Sequence, residues 1–134
     1  GSGVGFLTAP VALTCGASTA TSLCLHGRYL VTSFFRTNPT PGTPTDGQGR
    51  VVPVANPGSG IFWFFAADNW ELMVKVLNGC GLNNRWWVFS AATTNVFYRL
   101  EVDDVRTGEQ KIYFNYPGPP APAVTDTDAL ATCP

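Results

Sequence analysis

A chain of 134 residues is long enough for one domain with its own core, so cross-links would reinforce the fold rather than carry it alone. A net charge of −1, with only 13% charged residues, argues against a phosphate-neutralising surface and so against nucleic acid as a partner. The apolar runs stop well short of the roughly 18–20 residues that cross a bilayer, and no basic amphipathic stretch is present, so no membrane insertion is expected.

Residues 1–14 read as an extended arm. The run is free of charge and loosened by Gly and Pro10. Val4, Phe6, Leu7, Val11 and Leu13 would be poorly covered alone in water, so the arm must pack on its own domain or on a neighbour. Residues 15–134 then form the folded domain. Arg28–Phe35 is the first clear strand, with Tyr29, Val31, Ser33 and Phe35 on one face and Leu30, Thr32 and Phe34 on the other. Residues 37–49 are a long Pro/Gly loop with no room for a helix or a central strand. Arg50–Val54 is a short strand, ended by the turn signal Asn56-Pro57-Gly58-Ser59-Gly60. Ile61–Phe65 is apolar throughout, so both faces need cover.

Glu71–Leu77 alternates, with Leu72, Val74 and Val76 inward and Glu71, Met73 and Lys75 outward. Asn78-Gly79 and Asn83-Asn84 read as turns, and Trp86–Ser90 as an aromatic strand. Phe97–Val105 alternates strongly and returns through the hairpin turn Arg106–Glu109 into Lys111–Tyr116. Pro117–Pro122 reads as polyproline-like, and residues 123–134 as a tail. No window carries sustained helical periodicity. About seven short strands joined by Gly/Pro turns predict an all-β fold, an antiparallel β-sandwich of immunoglobulin-like or fibronectin-III-like type.

The four cysteines, Cys15, Cys24, Cys80 and Cys133, are even in number and lack CxxC spacing. That favours two disulfides in an oxidising compartment over zinc or redox chemistry. Three pairings are possible; the favoured one is Cys15–Cys24 with Cys80–Cys133, each bond contributing about 2–4 kcal/mol. An extracellular or cell-surface location follows.

Several segments resemble one known module. Leu23-Cys24-Leu25-His26-Gly27-Arg28-Tyr29 resembles an LCLxxGRF opening, and Gly60–Phe65 a G-Y/F-FWFF strand. Asn69 with Glu71–Gly79 resembles N-x-EL-x-VKVLDG. Trp87-Val88-Phe89 followed by Asn95–Tyr98 resembles FWVF…VEY, and Asp103–Gly108 a DT-x-TG hairpin. Together, over roughly residues 23–116, they are similar to a β-sandwich module of secreted and cell-surface bacterial proteins. The resemblance implies an extracellular setting and brings no catalytic residues with it.

Acid–base machinery is sparse. His26 is the only histidine, and neither Gly58-Ser59-Gly60 nor Gly16-Ala17-Ser18 has nucleophile-elbow spacing. Asp103-Asp104 and Asp126/Asp128 read as solvated turn residues rather than a calcium site. Glu71 with Lys75, and Arg99 with Glu101, read as surface pairs. No enzyme, cofactor or metal is expected. The aromatic run Phe62–Phe65 with Trp70, Trp86, Trp87 and Phe89 reads first as core or interface; a sugar platform built on Trp63, Trp70 or Trp87 is the rival. Thr40, Thr43 and Thr45 lie among prolines and are candidates for O-glycosylation.

The expectation is a non-enzymatic extracellular structural subunit. It would self-associate into a homopolymer, its arm adding to a neighbour's sheet edge, with Trp63 and Trp87 on the acceptor side. The alternative is a carbohydrate-binding or adhesion module with a glycan ligand.

Overall fold

The computed structural model describes residues 13–37, 41–54, 56–117 and 122–134. Val4, Phe6, Leu7 and Val11 of the arm, Thr40, and 118–121 of the proline run lie outside the described residues.

Ten strands and one helical turn follow one another. They are β1 (Ser22–Leu25), β2 (Tyr29–Arg36), β3 (Asp46–Gln48), β4 (Arg50–Val51), β5 (Ser59–Trp63) and β6 (Trp70–Gly79). After α1 (Cys80–Asn83) come β7 (Arg85–Ala92), β8 (Phe97–Asp104), β9 (Gln110–Asn115) and β10 (Val124–Leu130). They form two antiparallel five-stranded sheets. The first runs β9-β8-β2-β1, with β3 also pairing β2; the second runs β10-β7-β6-β5-β4.

Alternation places the core. Tyr29, Val31, Leu100 and Val102 of the first sheet and Phe62, Leu72, Val74, Val76, Val88 and Leu130 of the second are fully buried in one shared cluster. A buried aliphatic or aromatic side chain contributes roughly 1.5–3 kcal/mol, so this cluster dominates the stability.

Disulfides join Cys15 to Cys24 and Cys80 to Cys133. The first ties the segment before β1 to β1 itself. The second ties the last residues to α1. Those residues are held a second time from the first sheet. Arg28 Nε and Nη2 donate to the two carboxylate oxygens of Asp104 at 3.0 and 2.7 Å. Nη2 also donates to the Thr132 carbonyl at 2.7 Å, and Nη1 to that of Pro134 at 3.2 Å. Tyr29 Oη meets Thr132 Oγ1 at 3.2 Å, and burial pushes the Tyr29 phenol up to about 12.

Several expectations need correction. Residues 123–134 are not a tail: Val124–Leu130 is an edge strand paired with β7. Alternation is weak there because a register shift separates Asp126 from Leu130. The loop at 37–49 contains β3, a three-residue strand that pairs β2 alone. Ile61–Phe65 is not covered on both faces. Phe62 and Phe64 are buried, Ile61 and Trp63 half-buried, and Phe65 exposed. Asn78-Gly79 does not turn the chain: β6 continues through Gly79 and α1 reverses it, ended by Asn84 in the left-handed region (φ 59°). Asp104 is not solvated but fully buried against Arg28.

Glu71 points inward, not outward, and has no ion pair with Lys75. Phe62 pairs Leu72 and Trp63 pairs Trp70, so Glu71 is the extra residue of a β-bulge. The bulge buries Glu71 beside Leu72 on the inner side.

Asp104→Asn leaves the Arg28 charge buried without its carboxylate, and is expected to lower the unfolding free energy by about 3–5 kcal/mol in urea titrations. Burial alone would push the Asp104 carboxyl up, but Arg28, the Arg106 amide and the Thr107 hydroxyl outweigh it and hold it below its usual range. As pH falls, the unfolded chain therefore takes up this proton first. The contribution of Asp104 is complete above the unfolded value and disappears as pH drops through the folded one. The gap between wild type and Asp104→Asn should narrow on acidification.

Candidate functional site

The hairpin of β8 and β9 carries the largest exposed aromatic group among the described residues. Tyr98, Leu100 and Val102 of β8 face the core, which turns Phe97, Arg99 and Glu101 outward. On β9 the outward face is Ile112 and Phe114, continued by Tyr116. Phe97, Phe114 and Tyr116 form a triangle with ring centroids 5.9–6.3 Å apart. Phe114 is 53% exposed and Tyr116 68%.

The register extends this surface across the sheet. Arg99 pairs Phe114 on one side and Phe34 on the other, and Phe34 pairs Gln48 of β3. The Arg99 guanidinium lies 4.6 Å from the Phe34 ring centroid and pairs with Glu101, as its sequence position suggested. Beside it, Phe34, Arg36, Asp46, Gly47, Phe97 and Arg99 line an open hollow of about 470 Å³.

Among the described residues β9 is also a sheet edge, with β8 as its sole strand partner. Its inner face is polar and tied to the other sheet. Tyr113 Oη donates to Asp126 Oδ2 at 2.8 Å, and Lys111 Nζ lies 3.7 Å from the same oxygen. Burial, then the Asp126 hydrogen bond, push the Tyr113 phenol up, so it stays protonated and donating. Asn115 Nδ2 donates to the Val96 carbonyl at 3.0 Å. Side chains thus hold β9 in place, while among the described residues no strand pairs its outer backbone edge.

The residues singled out in the sequence fall elsewhere. Trp63 is half-buried under the Arg50 guanidinium, 5.8 Å from the ring centroid. Trp87 stacks on Phe89 and donates from Nε1 to Asn83 Oδ1 at 2.8 Å. Its indole also covers Gly79, where a Cβ would lie 2.1 Å from Nε1. Trp63 on β5 and Trp87 on β7 belong to strands with partners on both sides, so neither marks an open edge. Trp86 is buried in the core, and Trp70 is exposed.

Leu13 is 62% exposed, and its carbonyl accepts from Arg106 Nε at 3.2 Å. Thr43 is exposed; Thr45 exchanges backbone and hydroxyl hydrogen bonds with Thr37. His26 is a turn residue with positive φ. Its Nε2 is 2.7 Å from the Val76 carbonyl, an acceptor only, so Nε2 carries the proton and pins the turn to the second sheet. No group of three potential metal ligands occurs among the described residues. Among them, no helix is long and apolar enough to cross a membrane.

The polarity pattern of β9 points away from the aromatic triangle. In Lys111–Tyr116 the face with Lys111, Tyr113 and Asn115 looks outward by polarity, and the apolar face Ile112, Phe114 and Tyr116 looks inward. The fold inverts this, because the half-buried Asp126 gives the polar face a partner. No family model matches this chain, and neither a curated protein nor a solved structure matches it.

Phe114→Ser combined with Tyr116→Ser removes exposed area only. Each change should alter the unfolding free energy by about 0.5 kcal/mol or less, while fluorescence of a bound apolar dye such as anilinonaphthalene sulfonate falls.

Proposed function

We propose that this chain is a non-enzymatic extracellular structural subunit: an immunoglobulin-like β-sandwich that assembles head to tail. The apolar run Val4–Val11 of one copy adds as a strand to the β9 edge of the next. The acceptor is moved from the Trp63 and Trp87 strands, which are flanked on both sides, to β9. The observation that carries the reading is an edge that no strand pairs among the described residues, bearing Ile112 and Phe114 and continued by Tyr116, in a chain that also has a charge-free apolar segment.

Lengths agree. At about 3.3 Å per residue the eight-residue run reaches roughly 26 Å, and six-residue β9 about 20 Å. Leu7, Ala9, Val11 and Leu13 share one side of an extended strand, giving that side enough apolar surface to lie along the aromatic row. Pro10 is tolerated in a strand with one free edge.

Polarity agrees as well. Leu13 sits near Arg106 in the β8–β9 turn, whereas Phe97 opens β8 at its far end. The donor segment and the β9 edge are different surfaces of a protomer, so their contact between copies is heterologous and propagates as a filament unless its rotation closes a ring. Two disulfides suit such an object outside the cell.

Removal of residues 1–12 should leave a folded monomer. Phe114→Ser with Tyr116→Ser in the full chain should do the same, whereas the unmodified chain forms filaments by negative-stain microscopy. Filaments from the truncated chain, or a monomeric full-length protein at high concentration, would overturn the proposal.

A further inference from the structure

The bulge in β6 leaves a largely buried glutamate whose carboxyl opens to a cleft and has no protein partner among the described residues. Glu71 is only 5% exposed, yet among the described residues its carboxyl group makes no hydrogen bond and no ion pair. The bulge aims it between the β5–β6 and β7–β8 loops. There it lines an open cleft of about 560 Å³ with Phe65, Asn69 and residues 92–96, a size within the roughly 300–1,000 Å³ of small-molecule sites.

The floor of this cleft is fixed. Thr93 N donates to the Glu71 carbonyl and Thr93 Oγ1 to the Trp70 carbonyl, both at 2.8 Å. The rim is free. Neither the Asn69 nor the Asn95 side-chain amide has a partner among the described residues, and Phe65 presents a half-exposed ring. Burial holds the Glu71 carboxyl above its usual range, which is the mark of a group lacking compensation.

We infer that this cleft binds a neutral saccharide, with Glu71 accepting hydrogen bonds from ligand hydroxyls, Asn69 and Asn95 exchanging them at the rim, and Phe65 covering an apolar sugar face. The donor set selects this class. A carboxylate accepts, while amides both donate and accept, as hydroxyl pairs also do. A bare ammonium ion could donate to the carboxylate and to the amide oxygens but would leave the amide N–H donors without an acceptor. A calcium ion wants six to eight oxygens, and one carboxylate is too few. The inference is independent of the assembly reading: it uses neither the arm nor the β9 edge, and it places sugar recognition away from Trp63 and Trp87.

Saturation-transfer difference NMR on the intact chain suits the test, because its signal survives assembly into large particles. The probes are the neutral oligosaccharides maltohexaose, cellohexaose, xylohexaose, mannohexaose and chitohexaose, with n-butylammonium as the cationic control. At least one saccharide should receive saturation, and Glu71→Gln should weaken its binding roughly tenfold, the loss of a charge-assisted hydrogen bond. Phe65→Ser, at a half-exposed ring, should weaken it as well, while Trp63→Ala leaves it unchanged. Circular dichroism confirms that each variant is folded. No transfer to any of the saccharides, binding of n-butylammonium alone, or binding untouched by both cleft variants would overturn the inference.

Discussion

The Arg28–Asp104 pair is the constraint on which the rest of the fold depends. Arg28 stands immediately before β2 and Asp104 closes β8, so one bidentate contact aligns two neighbouring strands of the first sheet. The remaining guanidinium hydrogens reach the carbonyls of Thr132 and Pro134. Cys133 lies between those residues and is bonded to Cys80 beside the second sheet. A charge pair and a disulfide therefore meet within three residues and couple the two sheets at one end. A buried ion pair is a poor source of net stability, since desolvation offsets most of its attraction. Its value here is geometric. Only one placement of the last residues satisfies every guanidinium hydrogen bond at once.

That closed end contrasts with the opposite one. Near Arg28 lie the His26–Val76 contact, the Tyr29–Thr132 hydroxyl pair and the Arg106 amide on Asp104. Most polar groups there are matched inside the protein, the buried Trp86 Nε1 being an exception among the described residues. At the far end the β5–β6 and β7–β8 loops, Phe97 and Tyr116 leave aromatic rings exposed and a carboxyl unmatched. Internal contacts are concentrated at the closed end, and exposed aromatic and polar groups at the other. A scaffold with one rigid end can carry unsatisfied groups at the other without losing its fold.

Much of the architecture was legible in the sequence, and the failures share a cause. The alternation of Tyr29–Phe35, Leu72–Val76 and Tyr98–Val102 identifies inner faces directly, because the period of two is unbroken in each. Glu71 was misplaced because a bulge adds one residue to β6, and nothing in Trp70-Glu71-Leu72 announces it. The same blindness hid Asp104. Next to Asp103 it reads as a turn acid, and only its partner seventy-six positions away explains its burial. The edge strand β10 lacked both a clean period and an apolar face, since its register is interrupted and Thr125 to Asp128 are all polar. The aromatic triangle was concealed by a polar inner face whose partner, Asp126, lies in that unrecognised strand. Local patterns were readable; each miss needed a residue far away in the chain, or a register defect.

Glu71 and Phe114 raise one physical question in two forms: why a fold tolerates an arrangement that a purely stabilising selection of side chains would remove. A leucine or glutamine at the bulge would relieve the desolvation of a lone carboxyl, and a serine at Phe114 would relieve an exposed ring. Neither replacement would disturb the core, since Glu71 makes no internal hydrogen bond among the described residues and Phe114 is more than half exposed. Among the described residues nothing in the protomer supplies either group's missing contact. For the carboxyl that contact must donate hydrogen bonds, and for the ring it must be apolar. The two demands differ in chemistry and arise on separate elements, β6 and β9, so one ligand does not answer both. A subunit that binds its neighbour along one edge and a polar molecule in one cleft satisfies each on its own terms.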